Sequence, residues 1–441
     1  MQAQSFKRYK LKKGLVTKGH AKGFKRIYDD KTHRTRIIGD QMIIKFKKDF
    51  RKSNVQRFAL KNNLQIINKI GKRTFVFAAE DSNNLLNTLN TLQVNTEERE
   101  RSLVAKADID EYKELSSHAK RKGKRNKAIG KFSLERQWHL KNMGGDSVSK
   151  AGSEINVEGA WTSTKGEGVI VAVIDTGFDT GHKDINFLNT GYSTVTGEYS
   201  AKAPSYSNEN HGTAVAGIIA AKDNNKGSVG VAPESKIIPI RLISDRGMVS
   251  TSQIIEAHLK AVEMGARIIN NSWGTYDSSL EDGESLELSE MEEDLYRNLA
   301  QNADSGRGVT VIFAAGNSGE GNFAAHPEAR SQYTFSIGAI DSKDRKARYS
   351  VYGNELDVVA PGGQEKGITT TDRRDRKKGG LLGYTRGSYT DTFTGTSAAA
   401  PVVTGVAALV LSANPNLTAD DVKEIIRQSS RPDLDSFYQF N

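Results

Sequence analysis

The chain of 441 residues contains no cysteine. Disulfide staples are therefore excluded, and so is a thiol nucleophile. No apolar run approaches the roughly 20 residues that a membrane-spanning helix needs. The amino terminus, MQAQSFKRYKLKKGLVTKGH, is basic and lacks the apolar segment of an export signal. The expectation is a cytoplasmic protein with no membrane partner, or a secreted one whose signal has been removed.

Charge is plentiful but unevenly spread. The formal total is +10, yet residues 1–132 carry 33 Lys and Arg against 13 Asp and Glu, whereas residues 133–441 carry 30 against 40. A basic half is a common signature of nucleic-acid binding. Docking of the basic part on the acidic part of the same chain explains the asymmetry as well, because opposite fields steer association and orientation. Self-docking is the favoured reading, ahead of solvated basic surface and of nucleic acid.

Patterning divides the chain into four stretches. Residues 1–35 are polar and basic with no sustained period, which predicts a flexible arm. Residues 36–112 alternate in type: strands at 37–46, 64–67, 74–78 and 101–110, with helices at 54–64 and 81–92. That β-α-β-β-α-β order predicts a small α+β domain of the ferredoxin-like, split βαβ kind. Residues 113–132 include HAKRKGKRNK and read as a basic linker. From residue 133 onward buried-strand runs alternate with helical patterns, predicting an α/β domain with a mostly parallel sheet and helices on both faces. A final helix at 419–428 has Thr418 as its N-cap.

Chemistry concentrates in the last stretch. Asp175 closes the apolar run from Val169 to Ile174, which places a carboxylate at the C-terminal edge of a buried strand, where sites collect in α/β sheets. His211 opens the small-residue helix AVAGIIA, and a helix N-terminus favours the neutral imidazole that a base requires. Ser397, in FTGTSAAAPVVTGVAALVL, opens another helix, whose free N–H groups favour developing negative charge. A serine hydroxyl becomes a nucleophile when a histidine takes its proton and a carboxylate orients that histidine. Taken singly, Asp175 reads as a turn or cap, His211 as a packed histidine and Ser397 as an N-cap; their conjunction favours catalysis.

The stretches DTG, HGTAVAG, AAGNSG and GTSAAAP, in that order, resemble the subtilase family of serine proteases. The segment from Glu135 to Asn142 and Ala160-Trp161 extends the resemblance, with kexin-like features. What the resemblance implies is a serine endopeptidase that cuts polypeptide substrates through an acyl-enzyme, with Asn317 donating its side-chain N–H to the oxyanion. It also implies that the small domain is a propeptide acting as an intramolecular inhibitor of a zymogen, with autoprocessing in the basic linker, for which Arg125 offers a site. Ser272, Trp273 and Gly274 match the segment that pairs with substrate, and Asp277 matches an acid that favours a basic residue before the cleaved bond. Asp184 and the loop at 222–227, with Asn224, match a calcium site whose oxygen donors suit that hard cation. The alternative is a noncatalytic binding module that keeps the fold.

Overall fold

The structure is a computed structural model that describes residues 9–15, 25–29, 34–47, 52–70, 72–79, 82–94, 104–116, 133–245, 247–276, 287–319, 325–374 and 382–432. The chain forms two compact units: Met1–Glu114 with Met248–Leu259 and Ser289–Glu292, and Leu115–Gly247 with Lys260–Leu288 and Glu293–Asn441.

In the first unit the strands are β1 (Tyr9–Leu15), β2 (Lys25–Asp29), β3 (Arg34–Phe46), β4 (Leu64–Lys69), β5 (Thr74–Ala79) and β6 (Val104–Ser116), with helices α1 (Lys52–Lys61) and α2 (Ser82–Val94). β3 pairs antiparallel with β5 and with β6, and β5 pairs with β4. This is the expected β-α-β-β-α-β arrangement. Apolar positions Val55, Phe58 and Ala59 recur at helical spacing on α1 and are buried. The helix ends where Asn63 takes a left-handed conformation, φ 52°. Phe46 meets Phe58 and Phe77 edge-on at 5.4 and 6.2 Å, at the centre of a core that also holds Ile44, Leu85 and Leu89.

Two expectations change here. Residues 9–15 and 25–29, inside the stretch expected to be a flexible arm, form β1 and β2, which extend the sheet antiparallel from the first half of β3. The lysine-rich composition of β1 suits a strand at a sheet edge, where charge discourages further pairing. The last strand also runs on to Ser116, taking in four residues expected to be linker. The rest of that linker, Arg125 included, lies outside the described residues.

The second unit is built on a seven-stranded sheet. Its elements begin with α3 (Val157–Ala160), β7 (Ile170–Thr176), β8 (Tyr192–Ser193), α4 (His211–Ala220) and β9 (Lys236–Ile243). In chain order there follow β10 (Met248–Ser250) and α5 (Thr251–Glu263), which belong to the first unit as far as Leu259, and then β11 (Ile268–Asn271), β12 (Gly274–Tyr276), α6 (Glu290–Asn302), which belongs to the second unit from Glu293 on, and β13 (Thr310–Ala314). The chain continues through α7 (Pro327–Arg330), β14 (Phe335–Ile340), β15 (Val358–Pro361), β16 (Ile368–Thr371), β17 (Tyr389–Phe393), α8 (Thr396–Ala413) and α9 (Ala419–Ser429). The sheet order is β15-β14-β13-β11-β7-β9-β8, with neighbouring strands parallel.

Period-two alternation along β13 shows how both faces are covered. Ile312 and Ala314 join the core that includes α4 and α8, while Phe313 turns the other way, 5.6 Å from the Tyr296 ring of α6. α8 corrects one reading: at 18 residues it is long and apolar enough by composition alone to cross a membrane, but 78% of it is buried inside the fold. Its small residues make it a core helix, in contact with α4 and with β14 and β11. Thr418 caps α9 as expected, in a reciprocal capping box with Asp421.

Candidate active site

Parallel strands deliver their C-terminal ends to one edge of the sheet, and three of those ends carry the site. Asp175 is the penultimate residue of β7 and is fully buried. One carboxylate oxygen accepts the Thr176 N–H at 2.7 Å. The His211 Nδ1 lies 2.8 and 3.0 Å from the two oxygens. His211 is the first residue of α4, and the contact fixes the tautomer: Nδ1–H donates to Asp175, which leaves Nε2 as the acceptor. Nε2 is buried with no hydrogen-bond partner among the described residues. Gly212 follows for a steric reason, since a Cβ there would sit 2.9 Å from the Thr176 carbonyl oxygen and 2.8 Å from the Phe178 ring.

Ser397 stands in the first turn of α8. Its hydroxyl donates to the Ser272 carbonyl oxygen at 3.0 Å, and the Ser272 hydroxyl donates back to the Ser397 carbonyl oxygen at 3.1 Å. The Ser397 hydroxyl is thus bonded to the Ser272 carbonyl and not to His211. Catalytic hydrogen bonds commonly tighten only when substrate is present.

Asn317 follows β13. Its side-chain oxygen accepts from the Thr396 N–H at 2.8 Å and from the Thr396 hydroxyl at 3.0 Å. These two bonds orient the amide so that Nδ2 is the end left over, buried and without a partner among the described residues. The Ser397 N–H also lies in the first helical turn, where no preceding carbonyl of the helix is available to it. Asn317 is tied to Thr396, the residue before Ser397, with Nδ2 left over.

The structure distributes the substrate-segment residues differently from one another. Trp273 is buried, its indole N–H donating to the Ile174 carbonyl at 2.8 Å and its ring edge-on to Phe313. Its side chain belongs to the core, so only its main chain is left to face a substrate. Gly274 borders His326: a Cβ on Gly274 would lie 2.0 Å from the imidazole Cγ. Behind it, Glu328 is fully buried and accepts from the Thr275 N–H at 3.2 Å and from the Thr275 hydroxyl. Asp277 lies outside the described residues.

Several supporting residues escaped the sequence reading. Arg241 lies opposite Asp175 in the β7–β9 register and grips Glu209 with two bonds of 2.6 and 2.7 Å. Glu209 in turn accepts the Gly177 N–H at 2.8 Å, tying the segment before His211 to the turn after Asp175. Arg373 donates to the carbonyls of Ser207 and Glu209, holding the same segment from the other side. The Phe393 ring lies edge-on to His211 at 5.2 Å. An arginine inside the apolar strand KIIPIRLI was the available signal, since a charge is rarely buried unless paired.

At the expected cation site, Asn224 donates to one Asp184 oxygen at 2.5 Å. The other Asp184 oxygen and the Asn224 side-chain oxygen are buried without partners among the described residues. Burial pushes the Asp184 carboxyl above its ordinary range, against the opposing pull of Asn224. Buried oxygens on these two residues suit a hard cation, although the Tyr389 hydroxyl also pulls on the Asp184 carboxyl. Among the described residues no three acidic or histidine side chains cluster as ligands, so backbone carbonyls would have to complete the donor set.

This arrangement defines an α/β protein with a bonded Asp175–His211 pair at the C-terminal edge of a parallel sheet and with Ser397 held by Ser272, the residue after β11. Residues 166–439 match the subtilase family, and the chain belongs to it. It is 33% identical over 323 residues to the calcium-dependent protease of a Nostoc species, covering 67% of this chain and 46% of that protein. It is 33% identical to subtilisin DY of Bacillus licheniformis, covering 62% of this chain and 88% of that one. In fold it resembles fervidolysin from Fervidobacterium pennivorans, with a TM-score of 0.61 and 22% identity over 89% of this chain and 57% of that one. The chain thus spans about half the length of the calcium-dependent protease it matches.

Proposed function

We propose that this chain is a serine endopeptidase made as a zymogen. The observation that carries the reading is the His211 imidazole, held by Asp175 at Nδ1 while Nε2 is buried and without a partner among the described residues. Ser397 attacks the substrate carbonyl as Nε2 takes its proton, and the Asp175 carboxylate stabilises the imidazolium. Asn317 Nδ2 and the Ser397 N–H receive the oxyanion. His211 then returns the proton to the departing amine, and water hydrolyses the acyl-enzyme by the same exchange.

The leader, residues 1–116, acts as the intramolecular inhibitor in this reading. Support comes from the first unit, where the Asp110 carboxylate of β6 accepts the Ser252 N–H and hydroxyl at 2.8 and 2.6 Å. A carboxylate so placed satisfies free donors at the N-terminus of α5 and complements its dipole. Asp184 and Asn224 would hold a calcium ion, whose contribution is to stabilise their loop; the relatives' dependence on calcium agrees with their orphaned oxygens.

A serine-directed fluorophosphonate probe tests the catalytic reading. Labelling of the wild type and not of Ser397→Ala is expected. Absence of label on the wild type, even after the leader has been removed, would overturn it in favour of a noncatalytic binding module.

A further inference from the structure

A buried cluster in the second unit, where α7 meets β12, takes no part in the acyl transfer. It grips Thr275 by both main-chain groups. The Glu328 carboxylate accepts the Thr275 N–H at 3.2 Å and the Thr275 hydroxyl as well. His326 Nδ1 lies 2.9 Å from the Thr275 carbonyl oxygen, which can only accept, so Nδ1–H donates. All three residues are buried, Glu328 completely. Burial holds the His326 imidazole below its ordinary range against the pull of Glu328 and of the Thr275 carbonyl, which keeps the ring neutral with its one proton on Nδ1.

The cluster is fixed from behind. Pro327 opens α7, where its missing N–H costs no helical bond, and the Thr334 hydroxyl donates to the Glu328 carbonyl at 2.7 Å. The His326 N–H donates to the Ala315 carbonyl at 3.1 Å, tying α7 to the end of β13, two residues before Asn317. An apolar residue in place of Glu328 would fill the space but leave the buried Thr275 N–H without an acceptor.

Successive residues of a strand turn their N–H and C=O groups to opposite sides. With those of Thr275 bound to α7, those of Gly274 and Tyr276 face the other way. An extended peptide laid along that side gains main-chain bonds whatever its side chains. We infer that Glu328 and His326 are positioning residues for the substrate: by holding Thr275 from the α7 side, they present the main chain of Gly274 and Tyr276 as the edge on which an extended polypeptide is aligned with Ser397. The inference rests on the endopeptidase reading above and deepens it, because alignment of a long chain and attack on its carbonyl then depend on different residues.

The test compares full-length wild type and variants on a quenched fluorescent octapeptide and on p-nitrophenyl acetate, with active sites counted by the fluorophosphonate probe. The acetate has no peptide main chain to align, so it reports on the triad and oxyanion donors alone. Glu328→Ala should lower kcat/KM for the octapeptide roughly 10- to 100-fold, chiefly through KM, and leave the acetate rate within about twofold of wild type. Glu328→Gln keeps an acceptor for the Thr275 N–H and should recover most of that loss. An equal fall on both substrates would reduce the cluster to a structural role and overturn the inference, as would an octapeptide rate that stays at the wild-type level. If Glu328→Ala fails to fold, Thr275→Val decides: it removes the hydroxyl bond alone and should lower octapeptide kcat/KM by roughly 3- to 10-fold with the acetate rate held, and an unchanged ratio between the two substrates would overturn the inference. A wild type that takes no label and cuts neither substrate would overturn the endopeptidase reading itself.

Discussion

Asn317 joins two tasks that substitution can separate. Its Nδ2 stands ready for the oxyanion, while its oxygen accepts two bonds from Thr396 at the start of α8. Asn317→Ala removes both. Loss of the donor should cost about 2.7–4 kcal/mol of transition-state stabilisation, on the order of 10²–10³ in kcat, a magnitude that comes from a subtilisin and is carried over within the family. Loss of the acceptor leaves a buried N–H and hydroxyl unsatisfied and should lower stability by about 1–3 kcal/mol. Asn317→Asp keeps an acceptor for Thr396 but replaces the donor with an oxygen that repels the oxyanion, so kcat should fall at least as far with stability largely kept. Thr396→Val gives the converse: about 1 kcal/mol of stability lost and little change in kcat. The assay is steady-state peptide hydrolysis, with active sites counted by the fluorophosphonate probe and stability read from urea unfolding. A group that acts only in the transition state lowers kcat and kcat/KM by the same factor. If Asn317→Asp retained wild-type kcat, or changed only KM, the oxyanion assignment would be wrong.

Other consequences follow from the buried charges. Glu209→Gln leaves the Arg241 cation buried without its partner and should destabilise by about 3–5 kcal/mol, whereas Glu209→Leu with Arg241→Met should recover most of that loss; thermal unfolding of the three variants measures both. Asp372 is fully buried and accepts from Arg373, Tyr384 and Thr385, and burial pushes its carboxyl up to about 6. Its raised folded value means a stability contribution present in full below about 3.8 and lost as pH rises through about 6. Buried His139 and His258 act oppositely, held down to about 3 and about 4 by burial, so they cost stability as pH falls below about 6.5. Asp372→Asn removes one compensating group, and its stability should therefore drop relative to wild type by about 2 kcal/mol between pH 6 and 4, as read by urea unfolding at each pH. Chelation should lower the wild-type Tm, by an amount worth about 2.7 kcal/mol if calcium had been present at 100 times its Kd; Asp184→Ala should begin lower and respond no further.

Much of the architecture was legible before any coordinates. The strands and helices of the leader agree with their sequence patterns to within a few residues, apart from the ends of β3 and β6, because each repeats apolar residues at the period of its own backbone. The candidate triad was legible for a related reason, since Asp175, His211 and Ser397 each sit at the junction of an apolar strand or small-residue helix with a polar turn. β1 and β2 were less visible, because both are short and rich in charged residues and show no apolar alternation. Trp273 shows a division that a motif alone does not reveal: its segment follows β11, while its indole turns into the core.

The sequence by itself determined the order of elements, the two kinds of α and β arrangement and the residue types that do chemistry, since these depend on neighbours within a few positions of one another. Only the tertiary structure decided which charges meet: Glu209 with Arg241, 32 positions apart, and Lys113 with Glu292, 179 positions apart. It also decided which end of the Asn317 amide stays unbonded and how near His326 comes to Gly274. The physical reason is that burying a charge is favourable only when its partner arrives at hydrogen-bond distance, and chain folding, rather than local pattern, sets that distance.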